Sequence, residues 1–88
     1  MIIIVEKELV EKIEALQYEV ESRKDVISQI LTNGFKVSGD TFNKYQEEYR
    51  NYFIQYNRAK QEMLDIYKIA KGAAWSLSFA TCELTVEE

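Results

Sequence analysis

Residues 42–70 read FNKYQEEYRNYFIQYNRAKQEMLDIYKIA. Within them Phe42, Tyr45, Tyr49, Tyr52, Tyr56, Ala59, Met63, Ile66 and Ala70 recur at alternating steps of three and four. That spacing is the a/d seam of a long packed helix. Four of the nine seam positions are tyrosine, and each phenol oxygen needs a hydrogen-bond partner once buried. The seam therefore predicts a helix that both packs and makes contacts. Phe53, Ile54, Leu64 and Tyr67 lie beside it. Gly39, Asp40 and Thr41 read as the helix start and Gly72 as its stop, which predicts a helix over residues 40–71.

Working outward, an earlier segment shows the same period. Leu9, Ile13, Leu16, Val20, Ile27 and Ile30 stand on heptad spacing, and Val10, Val26 and Leu31 widen the stripe. A stripe wider than a/d predicts packing on more than one neighbour. The pattern runs from residue 6 to Asn33 and ends at Gly34. Only the short run Gly34-Phe35-Lys36-Val37-Ser38-Gly39 separates the two helices, so they return antiparallel. Phe35 is expected to pack back on Ile30 or Leu31. With the turn there, facing residues have numbers adding to about 74, and Arg23, the one polar seam position of the first helix, meets Tyr49 and Tyr52. A guanidinium over a phenol ring contributes about 0.5–2 kcal/mol.

Both ends of the chain change period. Ile2 to Val5 is β-branched and reads as a short strand. Trp75, Leu77 and Phe79 alternate with Ser76 and Ser78, then the phase flips so that Cys82, Leu84 and Val86 alternate with Thr81, Glu83 and Thr85. One face of a single strand holds both sets only if a bulge or a bend intervenes near Ala80–Cys82; otherwise the two apolar sets lie on opposite faces and meet different partners. One set would then need a surface outside the hairpin. On that reading the tail is separable, and removing residues 80–88 leaves the helices intact while abolishing association. The predicted fold is mainly α with terminal β: a long antiparallel helical hairpin flanked by short N- and C-terminal strands, β-α-α-β in order, as one domain over residues 1–88.

Composition bounds the function. The 88 residues carry a net charge of −4 with 47% hydrophobic residues, one cysteine, no histidine and no proline. One cysteine, Cys82, excludes an intramolecular disulfide and points to a reducing cytoplasmic setting. The acidic balance does not favour nucleic acid or anionic membrane as partner. Residues 1–33 carry seven acids and four bases, whereas residues 34–72 carry five acids and seven bases. That asymmetry suits a paired hairpin. Met1 to Val5 is apolar but too short for a membrane span and lacks the basic region of a signal peptide.

No catalytic constellation is present. The helix carboxylates Glu8, Glu11, Glu14, Glu19, Glu21, Glu47 and Glu48 have no histidine to work with and read as solvated faces. No phosphate loop, nucleophile elbow or Cys-x-x-Cys occurs. Lys71-Gly72-Ala73-Ala74 would suit a processing site ahead of a modified tail, but an alternating strand accounts for the same residues. An enzyme, a cofactor, a metal and a small-molecule substrate are therefore not expected. The expectation is a non-catalytic interaction or assembly subunit, of bacterial or phage accessory type, binding itself or another protein. The alternative is a small acidic inhibitor that blocks another protein. The candidate contact residues are Tyr45, Tyr49, Tyr52, Tyr56, Trp75, Phe79, Leu84 and Val86.

Overall fold

A computed structural model describes residues 1–34 and 37–87, the side chain of Asn33 excepted. The order is β1 (Ile2–Ile4), α1 (Lys7–Asn33), α2 (Gly39–Ile66), β2 (Trp75–Ser78) and β3 (Glu83–Val86). The helices form the antiparallel hairpin and the strands one antiparallel sheet in the order β1-β3-β2. The molecule measures 48 × 24 × 21 Å. The expected packing of Phe35 lies outside the described residues.

Local chemistry sets the helix ends. Gly34 adopts φ 67°, the left-handed conformation that closes α1. Ser38 caps α2, its hydroxyl accepting from the Thr41 amide at 3.1 Å. Glu6 offers α1 no side-chain cap. Instead the Glu6 amide donates to the Tyr67 phenol oxygen at 2.9 Å, tying the start of α1 to the end of α2.

The second helix stops earlier than its pattern predicts, at Ile66 rather than Lys71. The Ile69 amide donates to the Leu64 carbonyl at 2.9 Å and the Lys68 amide to Asp65 at 3.2 Å, with Lys68 at φ 55°. Those two bonds form a Schellman motif with lysine where glycine is usual. The motif turns Ile69 back beside Leu64, onto the core. Ile66, a seam position by spacing, is consequently 55% exposed. Gly72, expected to end the helix, serves the following turn at φ 85°.

The tail is a hairpin, not one bent strand. Trp75 pairs with Val86, Leu77 with Leu84 and Ser78 with Glu83. Four residues, 79–82, make the turn, and Cys82 takes φ 59° to close it. The phase flip is this turn. It returns Trp75, Leu77, Leu84 and Val86 to one face, so the expectation of two opposed apolar sets is corrected. On the other side of β3, Ile3 stands opposite Leu84. Ile3, Leu84 and Leu77 therefore form one inward row. Ile2, Ile4, Ser76, Ser78, Glu83 and Thr85 face outward.

The core lies between this sheet and the near half of the hairpin. Val5, Leu9, Val10, Ile13, Ala59, Met63, Leu84 and Val86 are buried together. Val10, one of the residues that widened the stripe of α1, belongs to the same buried cluster as Leu84 and Val86 of the sheet. The second neighbour implied by the wide stripe is thus the chain's own sheet.

Candidate interaction surface

The hairpin register matches the expected one. Lys12 Nζ lies 3.6 Å from Glu62 Oε2, a pair whose numbers add to 74. Arg23 stands with its guanidinium carbon 4.1 Å from the centroid of Tyr52. Its Nε lies 3.6 Å from Glu48, and its Nη1 bonds the Glu19 carboxylate one turn back. Nε itself is buried without a hydrogen-bond partner.

The tyrosines divide between two sides of this seam. Tyr52 lies under Arg23, and Tyr45 shares a shallow pocket with Arg23, Val26 and Glu48. Tyr49 stacks on Phe53 one turn away, with centroids 5.8 Å apart. Lys60 Nζ lies 4.2 Å over the Tyr56 ring. Partial burial, with the Glu21 carboxylate adding to it, raises the Tyr56 phenol above its ordinary range. All four tyrosines are half-buried.

The tail residues fare differently as contact candidates. Leu84 has no exposed surface and Val86 almost none. Trp75 and Phe79 are half-buried against the same core. Leu84 and Val86 hold the chain's own sheet and offer no surface to a partner.

The exposed apolar surface lies elsewhere. Past the sheet, the face that carries Val10 and Ile13 continues along α1 through Val20 to Lys24, Ile27 and Leu31, by helical steps of three and four. On α2 the face begins at Leu64, which lines one recess with Trp75, and continues through Lys60, Phe53 and Tyr49. Beyond the sheet these two stripes border an open groove of about 450 Å³, lined by Lys24, Ile27, Ser28, Leu31, Gln46, Tyr49, Arg50 and Phe53. Leu31 is 69% exposed and Phe53 43%. The sheet's outer face presents a second apolar patch, Ile2 and Ile4.

Sequence reasoning missed Leu31 and Phe53 as surface residues, yet a signal was available. Strands of three or four residues span roughly 10–13 Å, and the helices run about 40 Å. A sheet that short covers only part of the hairpin.

Among the described residues no three histidine, cysteine, aspartate or glutamate side chains gather to hold a metal ion, and no helix is long and apolar enough to cross a membrane. Comparison with protein-family models, curated proteins and solved structures finds no match.

Proposed function

We propose that the chain is a non-enzymatic interaction subunit that joins a larger complex through the far half of its helical hairpin. The observation that carries this reading is the uneven cover of one helix face. The near half is sealed by the sheet. The far half leaves Leu31, Phe53 and their neighbours in solvent. Contiguous exposed apolar and aromatic surface with a polar rim marks interaction sites. Tyr49 and Phe53 supply the aromatic content typical of such centres. The single cysteine, half-buried in the turn, suits a cytoplasmic setting.

Site-specific photocrosslinking tests the reading. A photoreactive residue replaces Phe53, the outward Ile2 or the exposed Glu14 in cells producing the chain. A discrete protein adduct at position 53 and none at position 14 is the expected result. An adduct of twice the chain's mass identifies a second copy. Equal labelling at all three positions, or none at position 53, overturns the reading.

A further inference from the structure

The groove has a charge that differs from the rest of the molecule. Its lining holds two cations, Lys24 on the α1 wall and Arg50 on the α2 wall, and no carboxylate, although the chain as a whole is net −4. Both side chains are exposed. Neither belongs to any of the ion pairs among the described residues, whereas Arg23, on the seam itself, meets both Glu19 and Glu48. Between the cations lie Ile27, Leu31, Tyr49 and Phe53.

The shape is that of a two-helix layer lacking its third member. Ridges of a third helix fit such a groove at an interaxial distance of about 8–10 Å. The open stretch of α1 from Lys24 to Leu31 is about 10 Å long, enough for about two turns of a partner. A second copy is a poor occupant. Joining two of these faces about a two-fold axis brings four cations into one interface, since an isologous contact uses the same patch twice. The exposed side of α1 that carries Glu11 and Glu14 sets Tyr18 among carboxylates and presents no aliphatic residue at those steps of three and four.

Resting on the interaction reading above, we propose that the groove receives an amphipathic helix of another protein, with an apolar stripe flanked by aspartate or glutamate. The stripe covers Ile27, Leu31, Tyr49 and Phe53, and the acidic flanks meet Lys24 and Arg50. Helix-in-groove recognition of this kind takes affinity from apolar anchors and orientation from flanking charge.

The test uses the full chain and two fluorescent peptides of about 14 residues, about four turns. Both carry leucines at steps of three and four. One has glutamate on the flanks, the other lysine. Fluorescence anisotropy is expected to show the acidic peptide binding at least tenfold tighter. The double variant Lys24→Glu, Arg50→Glu, checked for an unchanged thermal midpoint, is expected to reverse that preference. Equal affinity for both peptides overturns the acidic partner while leaving the interaction reading standing. Binding of neither peptide overturns the helix-in-groove proposal, and the position-53 crosslink then judges the broader reading separately. Salt-sensitive binding of a single-stranded oligonucleotide tighter than the acidic peptide overturns the choice of a protein partner.

Discussion

Arg23 lies over the ring of Tyr52, 4.1 Å from its centroid, joining the two helices at the middle of the hairpin. The contact links α1 to α2, and Glu48 and Glu19 complete its surroundings. The cost of burying Nε without a partner offsets much of the gain, as is usual for partly buried charge.

Replacing Arg23 with leucine is therefore expected to change stability by less than about 1 kcal/mol in either direction. Glu19 and Glu48 remain partly exposed and hydrate once freed. Urea unfolding measures it. A loss above about 2 kcal/mol would show that the arginine holds a cooperative network.

Leu84 and Leu31 should respond in opposite ways to the same truncation. Leu84 is wholly buried on the central strand, and Leu84→Ala is expected to cost about 2–5 kcal/mol. Against a total of about 5–10 kcal/mol for a chain of this size, that is a large share of the stability. Leu31→Ala should cost less than about 0.5 kcal/mol. Thermal denaturation of both variants checks the contrast.

Lys68 sits in a conformation that L-residues adopt at a cost of about 1 kcal/mol or more. Lys68→Gly keeps both Schellman bonds and removes that cost, so the midpoint should rise by about 3–6 °C. Lys68→Val should lower it. A fall on glycine substitution would contradict the cap.

The alkaline limb of stability reports on Tyr56. Its phenol titrates above the ordinary value in the folded chain, so the folded state favours the protonated form. Stability from this group is complete below the unfolded phenol pKa of about 10. It is lost as pH rises through the higher folded value. Tyr56→Phe should flatten the decline that sets in above about pH 10. An unchanged decline would place its source in another group.

Deleting residues 80–88 removes β3, the strand that pairs with both others. The truncated chain should lose its cooperative transition, where a separable tail would have left the helices standing. Circular dichroism melting distinguishes the two outcomes.

The helices were legible because their stripes are long, that of α1 interrupted at Arg23 alone, and the register because the Gly34–Gly39 connection is short. Two things were not. The end of α2 depends on a lysine cap, and a lysine in left-handed conformation leaves no mark in composition. The tail pairing turned on reading the phase flip at residues 79–82 as a turn, and that turn lacks the Asn-Gly or Asp-Gly signal that marks tight hairpins. Both misreadings hid the true cover of the hairpin, and with it the groove. The tyrosine seam drew the site toward half-buried residues, although Tyr49 does stand at the groove.

The central claim is that the open far half of one helix face is where a partner helix docks. A titration of the ¹⁵N-labelled full chain with the acidic leucine peptide, followed by amide chemical shifts, tests it most directly. The account predicts changes concentrated in residues 24–31 and 46–53, with Ile2, Ile4 and Thr85 unmoved. Changes centred on the outer strand face, or spread evenly along the hairpin, would contradict it.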